Sequence, residues 1–157
     1  MSDYASSYRI AYEEAVRALS QQHEMIDSLR TRAGLLLPAA AITTSFLGAQ
    51  AFDTGSPTIA TWLALAAFCG VATTVLAALW PHRLEFTADS ANVIESYLED
   101  GNPVAAHTIH RDLSLHMHNS YVENKIGQKQ VAFRFRLAGC LLTLEVIFWL
   151  IDLASKA

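Results

Sequence analysis

Two long apolar runs joined by a short polar linker decide the fold of this chain. Residues 33–52 read AGLLLPAAAITTSFLGAQAF, residues 53–57 read DTGSP, and residues 58–80 read TIATWLALAAFCGVATTVLAALW. Neither run contains Asp, Glu, Lys, Arg or His. Because a helix needs about 20 mostly apolar residues to cross a bilayer, each run predicts a transmembrane helix. Gly55 and Pro57 in the linker predict a turn, so we expect the two helices to form an antiparallel hairpin.

A third apolar run, LAGCLLTLEVIFWLIDLA at residues 137–154, completes the predicted set of spans. It includes Glu145 and Asp152 and is shorter than the others, so a buried core helix is the alternative interpretation. Across the 157 residues, 52% of the side chains are apolar and only 17% are charged. We therefore predict an all-α integral membrane protein with three transmembrane helices and a small cytoplasmic helical region.

The basic residues predict the orientation of these spans. Residues 1–32 hold four Arg or Lys and residues 81–136 hold six, whereas the linker holds none and the tail after residue 154 holds one. The positive-inside rule makes the two basic segments cytoplasmic. We therefore expect a multi-pass protein of the bacterial inner membrane, with its N-terminus in the cytoplasm and its C-terminus outside.

Arginines and tryptophans at the ends of the spans are predicted to lie at the membrane interfaces. Anionic headgroups and snorkelling favour arginine there, and the predicted anchors are Arg30, Arg32, Arg83, Arg134 and Arg136. Amphipathic indole rings also favour the headgroup level, which places Trp62 and Trp149 near the outer interface and Trp80 near the inner one.

The spans divide the chain into four predicted segments. A cytoplasmic amphipathic helix covers residues 1–32, the transmembrane hairpin 33–80, a cytoplasmic helical region 81–136, and the third span 137–154. In the first segment a heptad stripe indicates a helix that continues into the membrane and packs along one face. The members of the stripe are Tyr12, Ala15, Leu19, Ile26, Leu29 and Ala33. Two partners are open for it: residues 88–132 of the same chain, or another copy of the protein.

The region between the second and third spans is predicted to form two helices. A short helix covers Ala88–Glu99, and Gly101 ends it. Asn102 and Pro103 are typical of the cap and the first residue of a second helix. No proline follows in the chain, so this second helix continues into the third span unless Gly127 interrupts it.

Glu145 is the candidate functional residue, because an ionised carboxylate at the centre of a span costs several kcal/mol. By depth in the bilayer, its predicted neighbours in the first span are Thr43, Thr44 and Ser45. One interpretation is that Glu145 faces a water-filled path in an assembly of copies, where a ring of carboxylates favours cations. The other is that the hydroxyls hydrogen-bond a neutral Glu145 and hold the helices together.

The second span carries a row of small residues at Ala66, Gly70 and Thr74, which is typical of a close helix-packing face. Four of the six histidines, His107, His110, His116 and His118, match no standard zinc spacing, so neither a metal site nor a cofactor is predicted. No catalytic motif occurs, which argues against an enzyme. The net charge of −4 argues against nucleic acid as a partner, and the lipid bilayer is the expected one.

Residues 25–48, MIDSLRTRAGLLLPAAAITTSFLG, resemble the entry to the first span in small bacterial membrane proteins with SLATT domains and in the related Pycsar-type transmembrane effectors. In those proteins a cytoplasmic helix with an Asp and basic residues leads into a hairpin rich in small residues, and a cytoplasmic helix follows. The resemblance implies a defence effector that disrupts membrane integrity, with a nucleotide signal as a partner. This chain adds a third span and has no recognisable sensing domain, so no nucleotide-binding residues are assigned.

Two functional hypotheses follow from the sequence. The first is a homo-oligomeric membrane effector or channel-like protein in antiphage defence, which conducts ions or permeabilises the inner membrane with Glu145, Thr44 and Ser45 in its path. One chain with three spans cannot enclose a path, so oligomerisation is part of this hypothesis. The alternative is a non-conducting scaffold that recruits a cytoplasmic protein partner through its helical region.

Overall fold

Three helices make up the described part of the chain. The structure, a computed structural model, describes residues 2–80 and 104–156. Helix α1 covers Ser2–Asp53, α2 covers Ile59–Leu79 and α3 covers Ala106–Lys156, and these described ranges contain no strand. Each helix includes a stretch that is long and apolar enough to cross a membrane. The all-α class is confirmed for the described residues, and each predicted span lies in a helix that is long and apolar enough to cross a membrane.

Helix α1 runs without a break from the amphipathic segment into the first apolar run, as the sequence predicts. Its 52 residues include Pro38, which lies inside the apolar run. A proline removes one backbone hydrogen bond of a helix, and membrane helices tolerate this where neighbouring helices and hydroxyl side chains compensate.

Local signals define the turn between α1 and α2. Gly55 has a φ of +152°, a backbone conformation that glycine adopts without a steric penalty. Thr58 is the N-cap of α2, because its hydroxyl accepts hydrogen bonds from the backbone N–H groups of Ala60 and Thr61. Thr61 completes the capping box by accepting from the backbone N–H of Thr58, at 3.0 Å. These contacts fix where the second span begins.

Helix α3 is continuous over 51 residues, so of the two alternatives that the sequence left open, Gly127 does not interrupt it. One glycine lowers helix stability by only about 1 kcal/mol, which packing on either side offsets. Residues 104 and 105 are not helical, so the predicted start at Pro103 is also corrected, to Ala106. The predicted short helix Ala88–Glu99 and the predicted anchor Arg83 lie outside the described residues.

The chain divides into two compact units, to which α1 and α3 both contribute. We call Met1–Ile26 with His82–Gln128 the helical-pair unit, and Asp27–Pro81 with Lys129–Ala157 the membrane unit. Each unit joins segments that are distant in sequence, as expected when long helices pack side by side.

The helical-pair unit packs the predicted heptad stripe of α1 against α3. Leu19 and Ile26 of the stripe are buried, and so is Gln22, which occupies the vacant heptad position between them. The side-chain amide of Gln22 donates to the backbone carbonyl of Tyr121, at 3.2 Å. Tyr12 and His110 stack with their ring centroids 5.4 Å apart. Of the two open partners for the stripe, the structure therefore shows residues of the same chain.

Small side chains form the core of the membrane unit. One cluster contains Ala40, Val71, Val75 and Ala138, and a second contains Ala51, Ala64 and Trp149. The buried face of α2 consists of Thr61, Ala64, Ala67, Val71, Val75 and Ala78. Without a hydrophobic driving force in lipid, close backbone approach through small residues is what associates membrane helices.

The predicted packing row of α2, which the sequence assigns neither to contacts within the chain nor to contacts between copies, lies at the edge of the face that is buried within the chain. Ala66 is exposed, whereas Gly70 and Thr74 are half-buried at the edge of the buried face. A Cβ atom at Gly70 would lie 3.2 Å from a methyl group of Leu141, so this position does allow close packing against α3. The packing face is therefore rotated away from Ala66.

Candidate functional site

Glu145 lies inside the membrane unit, bonded to Thr44. The Thr44 hydroxyl donates a hydrogen bond to Oε1 of Glu145 over 2.6 Å, which joins α1 to α3. The Glu145 side chain has 0% of its surface exposed. Its second oxygen, Oε2, is buried and has no hydrogen-bond partner among the described residues. Of the three hydroxyl residues predicted near Glu145, Thr44 therefore forms a hydrogen bond with it.

The other two hydroxyls predicted near Glu145 lie elsewhere on α1. Thr43 is half-buried, and Ser45 is exposed on the outside of the helix. Successive residues of a helix point about 100° apart, so one hydroxyl of three consecutive ones can face α3 directly. The geometry of Glu145 and Thr44 matches the interpretation in which a hydroxyl and a carboxyl group hold two helices together.

Trp149, predicted near the outer interface, lies inside the bundle of the membrane unit. It is fully buried and packs with Ala51 and Ala64. A Cβ atom at Gly48 would lie 3.2 Å from its ring. Small residues on α1 and α2 leave the space that this indole fills, so packing decides its position. Trp62 and Trp80 are 65% and 70% exposed, and their interfacial positions stay predictions.

A second buried carboxylate, Asp152, is the centre of a polar cluster that sequence reasoning did not assign. The hydroxyls of Thr58 and Thr61 both donate to Oδ1 of Asp152, the latter over 2.9 Å. The ammonium group of Lys156 donates to Oδ2 over 2.9 Å and to the backbone carbonyl of Ala51 over 2.6 Å. Both carboxylate oxygens therefore have partners, and the Lys156 charge balances that of Asp152.

The Asp152 cluster joins all three helices at one end of the membrane unit. Thr58 caps α2, Ala51 lies in the last turn of α1, and Asp152 lies near the end of α3. Two signals in the sequence point to it: Lys156 follows Asp152 by four residues, and Asp152 follows the buried Glu145 by seven. The cluster therefore holds the three helices together at the end of the bundle where the polar linker joins α1 to α2.

The predicted anchoring arginines occupy different environments in the membrane unit. Arg32 and Arg136 are exposed, whereas Arg30 and Arg134 are half-buried. Arg134 donates through Nη1 to the backbone carbonyl of Ala77, in the last turn of α2, over 2.5 Å. The Nε and Nη2 atoms of Arg30 are buried and have no acceptor among the described residues.

Metal-binding side chains do not gather anywhere in residues 2–80 and 104–156: no three of His, Cys, Asp and Glu come together there. Cys69 and Cys140 are free thiols on the surface of the membrane unit. Polar groups of this unit form hydrogen bonds between helices. Buried polar atoms of Glu145, Trp149 and Arg30 have no hydrogen-bond partner among the described residues.

Comparisons with family models, with curated proteins and with solved structures find no match for this chain.

Proposed function

We propose that this chain is a homo-oligomeric membrane effector of the channel-like class, whose copies meet through the outer face of α3 in the helical-pair unit. The observation that carries the proposal is an apolar stripe of Leu115, Val122 and Ile126. Their side chains are 53%, 51% and 65% exposed. These large apolar side chains lie outside the predicted spans, and exposed apolar patches in water mark interaction sites, so we expect a partner to bury them.

The spacing of this stripe fits a second copy of the same helix. Val122 follows Leu115 by seven residues and Ile126 follows Val122 by four, which is the spacing of a coiled-coil seam. The stripe lies on the side of α3 opposite Met117, Ser120 and Asn124, which are buried within the chain. Where two copies are related by a two-fold axis, identical faces meet, so one stripe serves both of them.

Conduction would require this assembly. Glu145 and Asp152 are sealed within one chain and already have partners, so any aqueous path lies between copies. Ser45 is the residue of the predicted path that stands on the surface. The resemblance of residues 25–48 to SLATT-domain and Pycsar-type proteins supports the same class, with disruption of the inner membrane in antiphage defence as the outcome. The proposal includes activation by a nucleotide signal, for which no binding residues are assigned.

The particle mass of the purified chain in detergent tests the assembly. We expect a mass of several copies for the unaltered protein and a smaller mass for a triple variant with Leu115→Ser, Val122→Ser and Ile126→Ser. The matched control replaces Ile10 and Val16 by Ser, since these are exposed apolar residues of α1 outside the stripe. A monomer mass for the unaltered protein would overturn the proposal.

Solvent access at position 45 tests whether the assembly encloses water. In a background in which Cys69 and Cys140 are replaced by Ala, Ser45→Cys should react with a membrane-impermeant thiol reagent in liposomes. Ile42→Cys is the comparison, because Ile42 is also exposed on α1 but is an apolar residue outside the predicted path. Equal protection of both positions, together with absence of ion flux, would contradict conduction.

The alternative, a non-conducting scaffold for a cytoplasmic protein, is favoured by the sealed position of Glu145. In that case Glu145 only holds α1 to α3, and Glu145→Ala changes stability without changing flux or toxicity. An oligomer that forms on the Leu115 stripe but supports no flux would assign the chain to this second class.

A further inference from the structure

We infer that Arg9, His107 and His110 form a binding site for a small phosphate-bearing anion in the helical-pair unit. They line an open cleft with a volume of about 300 Å³ between the beginnings of α1 and α3. A cleft of this size falls in the range of small-molecule sites and has room for a phosphate ester. The residues that line it are Ala5, Ser6, Arg9, Ala106, His107 and His110.

The side chains of this cleft suit an anion. Among the described residues that line it, three have basic side chains and none has a carboxylate. A guanidinium group can bind two oxygens of a phosphate at once, and an imidazole ring offers an N–H donor whether it is neutral or charged. The chain as a whole has a net charge of −4, so the cleft differs in sign from the rest of the protein. Clefts lined by one sign of charge concentrate ions of the other sign.

The packing of α1 against α3 brings these basic residues together. His110 stacks on Tyr12 with the ring centroids 5.4 Å apart, and both residues lie near the beginning of their helices. This contact holds the His110 ring beside the cleft. His107 precedes His110 by three residues and Arg9 precedes Tyr12 by three, so each lies about one turn closer to the start of its helix. The positive ends of both helix dipoles lie at this end of the unit and add to the field of the side chains.

Arg9 and His107 are accessible to a ligand from solution. The Arg9 side chain is 66% exposed, and His107 is also exposed. In the described residues the acidic partner of Arg9 is Glu13, with 3.6 Å between Nε and Oε1. An exposed ion pair of this kind contributes little, so a phosphate that accepts two hydrogen bonds from the guanidinium group can displace Glu13.

The position of Arg9 along α1 favours a soluble anion over a lipid headgroup. Arg9 precedes Ala33, where the first predicted span begins, by 24 residues of continuous helix. At 1.5 Å per residue, the helix carries Arg9 about 36 Å from that predicted boundary. Phospholipid phosphates at the boundary therefore lie beyond the reach of the Arg9 side chain.

Native mass spectrometry of the full chain in detergent tests the cleft with defined probes. One arm adds glycerol 3-phosphate, with glycerol as the uncharged comparison, and a second arm adds phosphatidylglycerol. Bound probe is counted per chain, so the result does not depend on the proposed assembly. Arg9→Gln removes the guanidinium group from the cleft. Arg17→Gln is the matched control, because Arg17 lies on the same helix, is 64% exposed and is also paired with a glutamate, Glu14.

We expect the unaltered chain to bind glycerol 3-phosphate and not glycerol. Arg9→Gln should weaken binding about tenfold, as the loss of a charge-assisted contact with two hydrogen bonds implies. Arg17→Gln should change binding less than about twofold, as expected for an exposed charge outside the cleft. His107→Gln should weaken binding more than His116→Gln, since His116 is an exposed histidine that does not line the cleft.

A change of opposite sign is expected for the acidic partner of Arg9. Glu13→Gln removes the carboxylate that competes with the phosphate, so it should strengthen binding about twofold. Glu14→Gln, which removes the partner of Arg17, should leave binding unchanged. The inference would be overturned by absence of glycerol 3-phosphate binding to the unaltered chain, by equal effects of Arg9→Gln and Arg17→Gln, or by binding of phosphatidylglycerol alone.

Discussion

Thr58 donates its hydroxyl hydrogen to the carboxylate of Asp152, 94 residues later in the chain. The same hydroxyl accepts from the first backbone N–H groups of α2, so one side chain both caps a helix and binds the opposite one. Thr61 and Lys156 complete the coordination of Asp152. Hydrogen bonds from Thr58 and Thr61 to Asp152 thereby join the beginning of α2 to the end of α3.

Asp152→Ala should strongly destabilise the protein. The change leaves the buried ammonium group of Lys156 without its counter-charge, and breaking a buried ion pair costs about 3–5 kcal/mol. Unfolding by SDS titration, followed by circular dichroism, measures the loss. Asp53→Ala is the control, since Asp53 is an exposed acid at the same end of the bundle. Equal stabilities of the two variants would contradict the described cluster.

Thr44→Val should lower the free energy of unfolding by about 1 kcal/mol, a typical value for a hydrogen bond between membrane helices. Valine keeps the shape of threonine but removes the donor to Glu145, which then has neither oxygen bonded. Thr44→Ser should retain most of the stability because it keeps the hydroxyl. The same SDS titration measures these changes, and Thr43→Val is the neighbouring control. If Thr43→Val lowered the free energy of unfolding more than Thr44→Val, the hydroxyl that binds Glu145 would be that of Thr43 and the described contact would be contradicted.

Alanine at two glycines of the membrane unit should act in opposite directions. At Gly139 a new Cβ meets no described atom within 4 Å, so Gly139→Ala should stabilise α3 by about 0.5–1 kcal/mol through reduced backbone entropy. At Gly48 the Cβ would lie 3.2 Å from the fully buried ring of Trp149, which is wide and rigid. Gly48→Ala should therefore destabilise by about 1 kcal/mol, as overpacking does. Thermal unfolding in detergent compares the two, and a gain at both positions would show that Trp149 yields easily.

The spans could be predicted because the bilayer imposes both length and composition on a helix. The orientation of α2 about its own axis could not be predicted, since a helix that is apolar on every side carries no amphipathic contrast. For this reason the small-residue row at Ala66 does not indicate the face buried within the chain, which passes through Ala64 and Ala67. The burial of Trp149 likewise depends on the small residues of α1 and α2 that face it.

The seven-residue period of buried positions in α3 continues from its polar part into its apolar part, so it indicates which side of the helix is buried there. Buried residues of α3 recur every seventh position, at Met117, Asn124, Val131, Ala138, Glu145 and Asp152. A heptad extended from the polar part of the helix therefore predicts that both acidic residues face inward. The partners of the acidic residues depend on the register between helices, which the sequence of one helix does not contain.

The stripe of α1 contains one polar residue whose removal should stabilise the protein. Gln22 is buried and donates to the carbonyl of Tyr121, but its Oε1 has no partner among the described residues. The Tyr121 carbonyl lies within α3, where the helix supplies it with a backbone donor, so it loses little when Gln22 is replaced. Gln22→Leu should therefore raise the free energy of unfolding by about 1 kcal/mol, because it removes an unsatisfied polar atom and fills an apolar position.

Gln21→Leu is the matched control for this prediction, since Gln21 is the adjacent residue and is exposed. The control adds an apolar side chain to the surface of α1, and surface changes of this kind stay within about 0.5 kcal/mol. Urea or SDS titration of both variants, with the unaltered chain alongside, measures the difference. A loss of stability in Gln22→Leu would mean that the bond to Tyr121 contributes more than the unpaired oxygen removes, and that this glutamine sets the register between α1 and α3 as a buried polar residue does in a coiled coil.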